Sequence, residues 1–126
     1  KTDRGSSSTP LVLANKIYYS STDGLIISLD KTTGKELWTY KVKHGIGSMI
    51  TYFKEMLLFG TSAGPLEIIS LKGEYIADYS TGWGITAPIT VNETQSEVYL
   101  FSNYGNIYSL SLNWKRPIQN WPWEKL

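Results

Sequence analysis

Asp30-Lys31-Thr32-Thr33-Gly34-Lys35-Glu36-Leu37-Trp38 reads as a tight turn followed by a strand that delivers one indole. The Asp30 carboxylate is placed to accept hydrogen bonds from backbone N–H groups two or three residues on, and Gly34 suits the left-handed position that closes such a turn. Glu36 to Val42 after the turn and Leu25 to Asp30 before it are strands by composition. Working outward, Ile17 to Ser21 and Leu11 to Ala14 are two more, separated by turns at Asn15-Lys16 and Asp23-Gly24. Helical periodicity is absent, so the pattern predicts an antiparallel meander of four short strands.

The pattern recurs. Arg4-Gly5-Ser6-Ser7-Ser8, His44-Gly45-Ile46-Gly47-Ser48 and Trp83-Gly84-Ile85-Thr86-Ala87 each set a large residue before a glycine and small residues. Thr22-Asp23-Gly24, Ser62-Ala63-Gly64 and Asn103-Tyr104-Gly105 follow at the same period of about forty residues. Ile27-Ser28-Leu29, Ile69-Ser70-Leu71 and Tyr108-Ser109-Leu110 come next, with Pro65-Leu66 read as an insertion in the middle repeat. Gly24, Gly64 and Gly105 stand where a hairpin calls for positive φ. A four-stranded meander of about forty residues is the size of one propeller blade. The expected fold is all-β, with about three propeller blades in repeats 4–43, 44–82 and 83–113 and a Trp/Pro-rich arm at 114–126.

Ser28 to Trp38, preceded by Tyr18-Tyr19-Ser20-Ser21-Thr22-Asp23-Gly24, resembles the tryptophan-docking repeat of pyrroloquinoline-quinone-like β-propellers. The resemblance covers residues 5–112 and is strongest in the first repeat. It implies that Asp30, Gly34 and Trp38 dock one blade on the next, the indole adding about 1.5–3 kcal/mol of apolar burial. The middle repeat has Ala77 in the Trp place. Proteins with such repeats include quinoprotein dehydrogenases, BamB-type lipoproteins of outer-membrane barrel assembly, and luminal domains of stress-sensor kinases. The resemblance therefore implies architecture more than activity, and a setting outside the cytoplasm. Rings of about 4 to 8 blades are usual, so the remaining blades of a longer chain, or copies of this one, are the expected partners. A start at Lys1-Thr2-Asp3, without Met or a secretion signal, suggests a processed or trimmed product.

Composition narrows the function. Twelve Lys and Arg against eleven Asp and Glu give a formal charge of +1, with no basic stripe to attract nucleic acid. Apolar runs such as Met56-Leu57-Leu58-Phe59 are too short to span a membrane. The absence of cysteine removes thiol catalysis, thiolate metal sites and the vicinal cysteine pair of alcohol-type quinone dehydrogenases. One histidine, His44, without a Gly-x-Ser-x-Gly elbow, gives no triad signature. Gly45-Ile46-Gly47 opens a strand and not a helix, so it is no phosphate loop. Asp23, Asp30, Glu36 and Glu67 read as solvated or turn-capping. No catalytic residue, metal or cofactor is assigned.

Geometry nominates a face, because the loop leading into each meander and the hairpin between its second and third strands emerge on one side. That side collects Arg4, His44 and Trp83 from the leading loops, and Asp23, Ala63 and Tyr104 from the hairpins. They form a candidate rim for a peptide, sugar or protein loop, or a cover for the gaps between blades. Trp114, Trp121 and Trp123, with Pro117 and Pro122, suit an arm that docks on a blade edge or a partner. Asn92-Glu93-Thr94 fits the N-glycosylation acceptor pattern. The reading is a non-catalytic binding or scaffold module; the alternatives are part of a quinone-dependent dehydrogenase and a carbohydrate-binding surface protein with Trp83, Tyr104, Trp121 and Trp123 as its platform.

Overall fold

A computed structural model describes residues 9–87 and 89–111. The first blade contains β1 (Leu11–Leu13), β2 (Lys16–Ser20), β3 (Leu25–Asp30) and β4 (Glu36–Lys41). The second contains β5 (Thr51–Phe53), β6 (Met56–Thr61), β7 (Gly64–Ser70) and β8 (Tyr75–Tyr79). The third contains β9 (Thr90–Asn92), β10 (Glu97–Phe101) and β11 (Ile107–Ser111). Every pairing is antiparallel between consecutive strands, so each sheet is a simple meander. The sheets stand face to face as an arc that does not close among the described residues.

Position in the arc explains each strand's composition. The second blade is covered on both sides, and β6 is buried along its whole length as the unbroken run Met56-Leu57-Leu58-Phe59-Gly60-Thr61. Leu57 and Phe59 pack toward the first blade with Tyr18, Ile26, Val42, Ile50 and Ile69. Met56 and Leu58 pack the other way, with Phe53, Leu66, Ile68, Val98 and Leu100. Among the described residues the third blade is covered on one side, and β10 alternates, with Val98 and Leu100 buried and Phe101 exposed.

Register shows that the repeat runs without the insertion read at Pro65-Leu66. Ser28 pairs with Tyr18 and Trp38, and Ile68 pairs with Leu58 and Ala77, so Ser28 and Ile68 are counterparts. Both outer strands carry a register shift just beyond that pair, at Ser28/Leu29 and at Ile68/Ile69. Close backbone approach joins the blades: Gly47 accepts a 2.8 Å hydrogen bond from the Ser20 hydroxyl, and a Cβ on Gly60 would lie 2.3 Å from Ile85 Cγ2.

Candidate functional site

The leading loops of the second and third blades are each pinned to the hairpin of their own blade. Ala63 N–H donates to His44 O at 3.2 Å, and Asn103 N–H donates to Gly84 O at 2.6 Å. These bonds bring Trp83 onto Tyr104, with ring centroids 4.3 Å apart and planes 10° from parallel. The stacked pair is exposed, Trp83 at 48% and Tyr104 at 66%. His44 lies on the middle hairpin, where a Cβ on Gly64 would stand 2.7 Å from its own Cβ. Close approach is therefore what requires glycine at 64, while Gly24 (φ +87°) and Gly105 (φ +100°) hold the left-handed turn conformation. Asp23 accepts a hydrogen bond from the Ser21 hydroxyl, and its backbone carbonyl faces Lys41 Nζ at 3.4 Å. Arg4 lies outside the described residues.

Beneath His44 is a group that the sequence did not single out. Glu67, read as solvated or turn-capping, is fully buried in the middle of β7. Its Oε1 accepts from the Tyr40 hydroxyl at 2.9 Å, and its Oε2 accepts from Lys43 N–H at 3.3 Å. His44 Nδ1 stands 3.8 Å from Oε2 and completes an ion pair when protonated. Burial, then the bond to Glu67, pushes the Tyr40 phenol far up. Desolvation and a 2.8 Å bond to Asp78 push Tyr75 up to about 12. Lys43 Nζ sits 3.8 Å over the Tyr75 ring. The available signal was one acid between Leu66 and Ile68 in an apolar strand, opposite Phe59.

At the rim, Asp30 Oδ1 accepts from Thr32 N–H at 2.8 Å and Thr33 N–H at 3.0 Å, and Gly34 (φ +74°) donates to Asp30 O at 2.7 Å. The backbone bond from Thr33, then that from Thr32, lowers the Asp30 carboxyl below its ordinary range. Trp38 is half-buried, donates from Nε1 to Leu71 O at 3.2 Å and lies against Gly73 of the second blade. Trp114, Trp121 and Trp123 lie outside the described residues.

The described residues do not fit a quinone with its metal. Trp83 and Tyr104 are already in stacking contact, which leaves no slot between them for a third ring. Among the described residues no three His, Cys, Asp or Glu side chains converge as a metal-ligand group.

No family model matches the chain. In an alignment of 80 positions that covers 57% of its length, it is 41% identical to the lanthanide-dependent methanol dehydrogenase of Methylacidiphilum fumariolicum (strain SolV), and the match spans 12% of that protein. Its fold superposes on BamB from Moraxella catarrhalis with a TM-score of 0.73 and 22% identity, covering 90% of this chain and 34% of the other. A europium-containing methanol dehydrogenase superposes with a TM-score of 0.64 and 14% identity, over 75% and 25% of the two chains. The fold is thus that of a set of β-propeller blades, and over part of its length the chain is similar to pyrroloquinoline-quinone-like propellers. It spans about an eighth of the curated relative and about a third of the solved BamB chain. Among the described residues no helix is long and apolar enough to cross a membrane.

Proposed function

We propose that these blades act as a non-catalytic binding module outside the cytoplasm, gripping a partner polypeptide with the loop end of the arc. The observation that carries the reading is the exposed Trp83–Tyr104 stack. Burying two rings that are already ordered on each other wins apolar area at little cost in side-chain entropy, which is why Trp and Tyr recur at binding hot spots. Arg4, His44 and Asp23 make the rest of the proposed rim. The extracytoplasmic setting rests on the resemblance to propellers of that compartment.

The identity to a methanol dehydrogenase favours a second reading, in which the blades belong to a quinone-dependent enzyme whose cofactor is held elsewhere. Peptide-display selection on the 14.2 kDa chain, with parallel titrations of pyrroloquinoline quinone plus calcium and of soluble oligosaccharides, separates the readings. The expected result is selected peptides whose affinity falls at least tenfold in the Trp83→Ala/Tyr104→Ala variant. Quinone binding would move the assignment to the enzyme. Oligosaccharide binding lost in the same variant would move it to carbohydrate recognition, and peptides indifferent to both substitutions would sink the proposed rim.

A further inference from the structure

Two successive blade junctions are built differently at one corresponding place. Trp38 and Ala77 are counterparts by register, each paired with the residue just before the shift in its sheet. At the first junction the Trp38 indole packs against the cluster that holds Ile26 and Ile69, and it sits so close to the second blade that a Cβ on Gly73 would lie 2.7 Å from its Cδ2. At the second junction the donor is a methyl group, and a cleft of about 270 Å³ opens beside it, lined by Leu66, Ile68, Ala77 and Tyr79 on one side and Leu110 and Ser111 on the other.

The apolar walls of this cleft correspond to the residues around Trp38. Leu66 stands two residues after Gly64, as Ile26 stands two after Gly24. Leu57 and Val98 each pair with the middle residue of their innermost strand, Tyr52 or Val91, so their partners on the next strand, Ile69 and Leu110, are counterparts as well. The second junction thus repeats the walls of an indole site on a blade that brings alanine in place of the indole.

We infer that this cleft binds a small, flat, uncharged aromatic molecule of one or two rings, in the place that the Trp38 side chain takes at the first junction. Size fits, since ~150 Å³ is enough to hold benzene in a protein core. Shape fits, because the cleft lies between two sheet faces, and the edge-to-face pair of Tyr79 and Tyr108 flanks it with centroids 6.3 Å apart. Charge is excluded by the aliphatic walls, which would strip a charged ligand of water without replacing it. Asp78 also borders the cleft, and its carboxylate, which accepts from the Tyr75 hydroxyl at 2.8 Å, disfavours anionic ligands further. The site involves neither Trp83 nor Tyr104 and is independent of the loop-end rim.

Indole titrated into the 14.2 kDa chain, followed by calorimetry and by saturation transfer to the ligand, tests this. One saturable site is expected, with affinity at least tenfold weaker for indole-3-carboxylate. Ala77→Trp should fill the cleft, raise the melting midpoint and weaken indole binding at least tenfold. Ala77→Leu is a milder filling that does not depend on the bulky variant folding, and it should weaken binding in the same direction. Trp83→Ala/Tyr104→Ala should bind indole as the unsubstituted chain does. Absence of saturable binding, indole affinity unchanged in a folded Ala77 variant, equal affinity for the carboxylate, or binding lost with Trp83 and Tyr104 would each overturn the proposal.

Discussion

At the scale of single residues, backbone conformation and close approach carry the sharpest consequences. The β5–β6 hairpin turns through Lys54 (φ +51°) and Glu55 (φ +64°), a pair of left-handed residues without glycine or asparagine. Such a conformation costs a side-chain-bearing residue about 1–2 kcal/mol, against about 0.5–1 kcal/mol of extra chain entropy lost by a glycine. Glu55→Gly should therefore raise stability by about 0.5–1 kcal/mol, read from the urea midpoint at unchanged slope. Gly73→Ala should do the reverse. Its φ of +85° is strained for alanine and its Cβ would press into the Trp38 ring, so a loss of about 2 kcal/mol or more is expected. Trp38→Ala should relieve that penalty when combined with Gly73→Ala, and a strictly additive pair of losses would count against the packing described.

At the scale of the strand, β7 places a carboxylate between the buried Leu66 and Ile68, and what stabilises it is the set of donors from the adjoining blade. Tyr40→Phe should cost about 1–3 kcal/mol at neutral pH, because it leaves Glu67 short of a partner. The same cluster makes the junction sensitive to alkali. Tyr40 and Tyr75 have folded-state pKa values above the ordinary phenol range, so their stabilisation is complete below about pH 10 and is lost as pH rises through the folded values, about 12 for Tyr75 and higher for Tyr40. Chemical denaturation between pH 8 and 12 should show stability falling above pH 10, with a shallower slope in Tyr40→Phe/Tyr75→Phe. An unchanged slope would mean that other tyrosines govern the alkaline transition. Asp30, lowered by its turn bonds, works in the opposite direction: its contribution is present above the normal carboxylate pKa and is lost as pH falls through its depressed folded value.

At the scale of the molecule, the arc of described residues presents an open sheet face. On the third blade Phe101 and Ile107 form a cross-strand pair 51% and 66% exposed. An apolar face of that kind associates unless another blade covers it. The 14.2 kDa chain is expected to sediment above its monomer mass, and Phe101→Glu/Ile107→Lys to return it toward the monomer with its β-sheet signal intact. A monomer at high concentration before any substitution would show that the face is tolerated uncovered.

The strands, the Asp30–Gly34 turn and the place of Trp38 were legible in the sequence because each depends on residues within a few positions: a carboxylate two or three from its donors, a glycine at a left-handed turn, alternating apolar residues on a pleat. The Met56-Leu57-Leu58-Phe59 run, read in the sequence only as too short to span a membrane, answers in the structure to burial on both faces of the middle blade. What only the tertiary structure decided involves groups distant in the chain. Glu67 looks like an ordinary surface acid until Tyr40 and Lys43 of the preceding blade, and His44 of its own blade's leading loop, close over it. Gly64 looks like a turn glycine until the His44 ring lies on it, and Trp83 and Tyr104 look like two loop aromatics until backbone bonds between their loops stack them. Turn chemistry is local and is written in spacing; the partner of a buried charge, a small residue or a flat ring is chosen by the face that packs against it, which no spacing records.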